Sequence, residues 1–102
     1  MNDMIQQHIE DLKKIFVLHK VERADIFGSA LTADFYEDSD IDILVTFKDN
    51  IALLDYADNY FDLKEKLEDI FNRKVDLVSS RSIKNPVLIE SINKSKKPLY
   101  VA

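Results

Sequence analysis

The chain has 102 residues, 19 acidic against 14 basic side chains for a net charge of −5, no cysteine and a single glycine. One glycine excludes the dinucleotide-binding fingerprint and the Walker-type phosphate loop, which need three and two at fixed spacing, and the missing cysteines exclude disulfides, thiolate zinc sites and a cysteine nucleophile. The acidic balance argues against duplex nucleic acid as the main ligand, because affinity there comes mostly from neutralising phosphates. With 46% hydrophobic and 32% charged residues the composition is that of a globular chain, read as a single domain over residues 1–102 with enough core to fold without staples. A cysteine-free chain fits a reducing cytoplasmic compartment. Neither a signal-type leader nor an apolar run of membrane-spanning length is visible, and His8 and His19 alone cannot build a histidine metal site with an open position.

Ile5, Ile9, Leu12 and Phe16 recur at helical spacing, which predicts one helix over residues 4–18, capped by Asn2 or Asp3. Residues 23–27 read as a short strand ending at the turn Gly28-Ser29, and Ser29 is a good N-cap for a short helix over residues 30–34. Residues 40–47 alternate cleanly, with Ile41, Ile43, Val45 and Phe47 on one side and Asp40, Asp42, Leu44 and Thr46 on the other, and predict a strand. A long helix follows, carrying Leu53, Tyr56, Tyr60, Leu63, Leu67 and Ile70 at spacings of three and four. Asn72 ends it as a left-handed cap. A third strand is expected over 74–79, a helix from Asn85-Pro86 to about Ser95, and a last short strand over 99–101. This order suits an α+β fold, a small sheet with helices packed mainly on one face and the other face partly open. The pattern leaves open whether the sheet is parallel, antiparallel or mixed.

Three aspartates stand where folding alone would not put them. Asp40 and Asp42 are two apart on one strand and so point to the same side, and Asp76 sits among Val75, Leu77 and Val78 in a strand where a carboxylate is costly unless paired. Two such charges about 4 Å apart repel by roughly 4 kcal/mol at an effective dielectric of 20, so a cation belongs between them. All-oxygen ligands of this kind suit Mg²⁺ or Mn²⁺, which keep waters and substrate phosphates in their shells. Gly28-Ser29 at a helix start supplies the complementary half, backbone N–H groups open to phosphate oxygens with no Cβ at position 28 to keep them away. A calcium loop on Asp38, Asp40 and Asp42 is excluded by Ile43 where that loop needs glycine and by Asp49 where it needs glutamate.

The segment GSALTADFYEDSDID, residues 28–42, with Gly-Ser, ten residues and then Asp-x-Asp, resembles the polymerase-beta-like nucleotidyltransferases, and Asp76 falls where that family carries a third carboxylate. The whole chain is similar to the minimal nucleotidyltransferases, the small branch paired with HEPN proteins as toxin–antitoxin modules. That resemblance implies a mixed sheet, a divalent metal on Asp40, Asp42 and Asp76, and Gly28 and Ser29 at the triphosphate. It further implies transfer of AMP from ATP to a hydroxyl of the HEPN toxin, in a hetero-oligomer with it. Asp76 then completes the metal site and accepts the proton of the attacking hydroxyl. Many relatives carry arginines in the helix after Gly-Ser, where this chain has Ala30, Thr32 and Ala33. Three carboxylates and a triphosphate give roughly −7 and two divalent ions return +4, so a further cation is required. Arg23, Lys48, Arg73 and Lys74 are the candidates by position. The missing arginines motivate an alternative, a degenerate module that neutralises a toxin by stoichiometric contact.

Overall fold

The structure, a computed structural model, describes residues 3–28 and 40–102. Its elements are α1 (Asp3–Gln7), α2 (Ile9–Leu18), β1 (Val21–Phe27), β2 (Ile41–Phe47), α3 (Leu53–Phe71), β3 (Val75–Ser79), α4 (Pro86–Ser95) and β4 (Lys97–Val101). The single helix expected over residues 4–18 is divided at His8, where hydrogen bonding tightens to His8 N–H donating to the Ile5 carbonyl. The His8 ring stands edge-on against Phe71, with 6.1 Å between centroids. The short helix expected over residues 30–34 lies outside the described residues. The other elements match expectation within one or two residues, and Asn72 is the left-handed cap of α3 at φ 52°.

The four strands form one mixed sheet in the order β3-β2-β1-β4. β1 is antiparallel to both neighbours, and β2 and β3 are parallel. Alternation along β2 buries Ile41, Ile43, Val45 and Phe47 against Leu12, Phe16, Leu63, Leu67 and Phe71 of the helices. Each of those side chains contributes roughly 1.5–3 kcal/mol by leaving water. α4 lies across the opposite face, where its Ile92 and Ile89 line a cavity of about 210 Å³ with Leu44, Thr46 and Ile83. Among the described residues no helix is long and apolar enough to cross a membrane.

β3 is an edge strand, and α3 covers its outward backbone groups. The Val75 N–H donates to Glu68 Oε2 at 3.0 Å, the Tyr60 hydroxyl donates to the Leu77 carbonyl, and the Tyr56 and Ser79 hydroxyls bond to each other. α2 and α3 are clamped by buried His19. Its Nδ1 lies 2.7 Å from the Ile15 carbonyl and its Nε2 2.6 Å from Asp62 Oδ2, while Asn59 donates to the His19 carbonyl at 2.8 Å. The His19 hydrogen bond holds the Asp62 carboxyl below its ordinary range. A depressed carboxyl stabilises the fold above its unfolded pKa, and that stability is lost as pH falls through the folded value. Asp62→Asn therefore melts below wild type at pH 6, and the two melting curves converge as the pH is taken below 3. Thermal denaturation across that range checks this, and a constant gap would assign the loss to packing instead.

Candidate active site

The parallel register of β2 and β3 sets Asp42 directly beside Asp76. The Ile41 N–H donates to the Lys74 carbonyl at 3.1 Å and the Ser80 N–H to the Val45 carbonyl at 2.9 Å, closing the ladder at both ends. Both aspartates project from the face opposite the apolar core, because their neighbours Ile41, Ile43, Val75 and Leu77 are buried on the other side. Asp42 is half-buried, and its carboxyl is pushed above the ordinary range. Burial is the largest cause, followed by the charge of Asp76, the charge of Asp40 and a hydrogen bond shared with Asp76. Asp40 stands exposed just ahead of β2.

Gly28 follows the last residue of β1, and Phe27 is the partner of Asp42 across the β1–β2 ladder. Its φ of +74° is a conformation that side chains resist, and an added Cβ would overlap the Asp42 carboxylate. The one glycine is thus favoured by backbone conformation and required by the acid beside it. Ser29 lies outside the described residues, as do Ala30, Thr32 and Ala33.

Two of the three expected acids, Asp42 and Asp76, are brought together, and Asp40 is near enough to act on Asp42 through its charge. Among the described residues no group of three His, Cys, Asp or Glu side chains is already gathered around an ion position. The donor set nonetheless fits a hard divalent cation. It is all oxygen, two of the acids are held in mutual repulsion, and its open positions suit an ion that retains waters and phosphate oxygens.

The expected cations fare differently. Arg23 is engaged by Asp25, with Nε at 2.9 and 3.1 Å from the carboxylate oxygens and Nη2 at 2.9 Å. Lys48 lies beyond the far end of β2, about 20 Å from Asp42 at strand rise. Lys74 immediately precedes β3, and Arg73 beside it is half-buried. Asp25 itself is 2% exposed and has no role in the sequence reading. The signal that could have found it is the one that singled out Asp76, an aspartate between apolar neighbours, here Ala24 and Ile26, in a strand.

A family model described as Polymerase beta, Nucleotidyltransferase matches residues 10–102. A relative from Methanocaldococcus jannaschii is 38% identical over 92 residues, which cover 90% of this chain and 87% of its own length. Protein adenylyltransferase MntA of Thermococcus cleftensis is 33% identical over 87 residues, covering 78% of this chain and 84% of its own. A chain in the solved complex of tri-AMPylated Shewanella oneidensis HEPN toxin with MNT antitoxin superposes at a TM-score of 0.66 with 26% identity, covering 96% of this chain and 73% of that one.

Two outcomes follow from the geometry. A carboxyl raised in the folded state adds stability only below its unfolded pKa, and that contribution is lost as pH rises through the folded value, so Asp42 opposes folding at neutral pH. Asp42→Asn, in buffer free of divalent ions, melts above wild type at pH 7 by on the order of 1 kcal/mol, a small gain because both carboxylates are partly solvated. The gain shrinks toward pH 3.5, and its persistence there would remove electrostatics as the cause. Gly28→Ala, measured by urea unfolding, costs about 1–2 kcal/mol from the positive φ. In Asp42→Ala, which lacks the carboxylate the new Cβ would meet, the same substitution costs less. Strict additivity of the two would contradict the close approach.

Proposed function

The chain belongs to the polymerase beta nucleotidyltransferase family, and from that premise we propose that it is a metal-dependent protein adenylyltransferase. It moves AMP from ATP to a hydroxyl of a HEPN-type toxin and so serves as the antitoxin of the pair. The observation that carries this reading is the placement of Asp42 and Asp76 side by side, with the Gly28 turn against Asp42. The named relatives support it. One is a protein adenylyltransferase, and the similar solved chain belongs to a complex with an AMP-modified HEPN toxin.

In this mechanism the backbone N–H groups at Gly28 and Ser29, with the Ser29 hydroxyl, bind phosphate oxygens. Asp40, Asp42 and Asp76 would hold Mg²⁺ or Mn²⁺, whose chemistry is to screen the phosphates and stabilise the departing pyrophosphate. Asp76, exposed on the edge strand, faces the side from which a macromolecular acceptor can arrive, and its carboxylate takes the acceptor's proton. The acceptor oxygen bonds to the α-phosphorus as the bond to the pyrophosphate oxygen breaks. Alignment of these groups supplies most of the rate, because phosphoryl-type transfer asks mainly for positioning and charge stabilisation. Asp76 is exposed at the sheet edge, which favours a folded partner that brings its own hydroxyl. A cytoplasmic setting, where ATP is abundant, follows from that reading.

The test incubates the protein with labelled ATP, Mg²⁺ and the HEPN-type product of the neighbouring gene. Wild type labels the partner, and Asp40→Asn and Asp42→Asn each lower the rate by roughly 100-fold or more, the loss of several kcal/mol of transition-state stabilisation. Equal labelling by wild type and variants would end the proposal. Full protection of cells by Asp42→Asn without labelling would establish the stoichiometric binding module in its place.

A further inference from the structure

We propose that Lys96 is the cation this chain itself brings to the outer phosphates of its nucleotide, held over β1 by the buried carboxylate of Asp25. The inference rests on the nucleotidyl-transfer reading and names a side chain that supplies part of the positive charge it lacks.

The argument begins with strand register. β4 runs antiparallel to β1, and Lys97 pairs with Ile26, so the α4–β4 junction at Lys96 is level with Phe27 and Gly28. Phe27 in turn pairs with Asp42, and Asp42 with Asp76. Four features therefore line up across one end of the sheet: the Lys96 junction, the Gly28 turn, Asp42 and Asp76. Adjacent strands are about 5 Å apart, so the row from Asp42 across β1 to the Lys96 junction spans roughly 10 Å, a width that an extended triphosphate and a lysine side chain can bridge. A triphosphate seated on the Gly28 turn has the carboxylates on one flank and Lys96 on the other.

The side chain also faces the correct way. Lys96 Nζ lies 4.0 Å from Asp25 Oδ2, on the sheet face that carries Asp42. Asp25 pairs with Leu44, which makes Asp42 its diagonal neighbour on that face, roughly 7–8 Å away. Arg23 already satisfies Asp25 with three hydrogen bonds, so the ion pair from Lys96 sits at its outer limit. Arg23, Asp25 and Lys96 together carry one surplus positive charge. Lys94, by contrast, is turned to Glu90 at 3.2 Å. The flexible four-carbon stem of lysine lets Nζ leave Asp25 for a phosphate oxygen without moving the backbone. Asp25 is then a positioning residue, which keeps Lys96 on the face where the nucleotide lands.

Calorimetric titration of the full chain in Mg²⁺ with ATP, inorganic tripolyphosphate and AMP tests this. Lys96→Gln is expected to weaken ATP and tripolyphosphate by about 10-fold, the worth of one charge-assisted contact, and to leave AMP unchanged. Lys96→Arg retains most of the affinity. In the transfer assay Lys96→Gln raises KM for ATP with little change in kcat. Equal ATP binding by wild type and Lys96→Gln overturns the assignment and leaves adenylyl transfer standing. Tripolyphosphate binding that depends on Lys96, in a protein that transfers nothing to its partner, supports the assignment and overturns the transfer reading. A matched loss for all three ligands together with a lowered melting temperature overturns it in favour of a structural role.

Discussion

Everything distinctive about this chain depends on two carboxylates being held against their mutual repulsion. Asp42 and Asp76 share a rung of the parallel β2–β3 ladder, and burial together with neighbouring charge makes Asp42 harder to ionise than a free carboxyl. An isolated pair of strands would relieve this by sliding or fraying. Here sliding is blocked, because side chains alternate with a period of two. A one-residue slip would carry Ile41, Ile43, Val75 and Leu77 from the core to the solvent face. The alternation that stabilises the sheet is thus the one that projects the acids, and the apolar contribution of those residues exceeds the repulsion of a screened pair.

The long helix α3 extends that constraint to the edge of the sheet. An edge strand with free backbone groups invites pairing with another chain and moves easily. Glu68 accepts from the first N–H of β3 and Tyr60 donates to its Leu77 carbonyl, so side chains from two turns of one helix stand in for a missing fifth strand. Both contacts flank Asp76 in the chain. The Val75 bond to Glu68, strengthened by Lys64, holds the Glu68 carboxyl below its ordinary range, which keeps it ionised and accepting at neutral pH. Asp76 is thus held from behind through its backbone neighbours while its own side chain remains exposed.

Much of this was legible residue by residue. Strict alternation located β2 and the facing of Asp40 and Asp42, a single asparagine marked the end of α3, and Asn85 before Pro86 marked the start of α4, where its side chain accepts from the Val87 N–H. What could not be read was pairing. Parallel register between β2 and β3 is set by the packing of α3 across both, a contact between residues far apart in sequence, so the adjacency of Asp42 and Asp76 followed from family resemblance and not from spacing. The position of α4 on the opposite face was hidden for a similar reason. Its Ile89 and Ile92 are apolar in the way core helices are, and only their shared cavity with Leu44 and Thr46 shows which face they cover. The interruption at His8 was also invisible, since the apolar stripe from Ile5 to Phe16 continues across it.

The single glycine first served to exclude phosphate loops, and in the structure its neighbours give it a positive meaning. Lys20 and Asn72 hold left-handed conformations at other turns without being glycine, so left-handed backbone alone does not demand one. Gly28 differs because Asp42 occupies the space its Cβ would fill. Other turns can accept a strained side chain, while this one must leave room for an acid, which in the proposed reading holds a cation. The strand-end row from Asp76 through Asp42 and Gly28 to Lys96 therefore runs from negative to positive across one backbone gap. In the proposed reading a chain of net negative charge receives a polyanion at this row, with the acids to one side of Gly28 and Lys96 to the other.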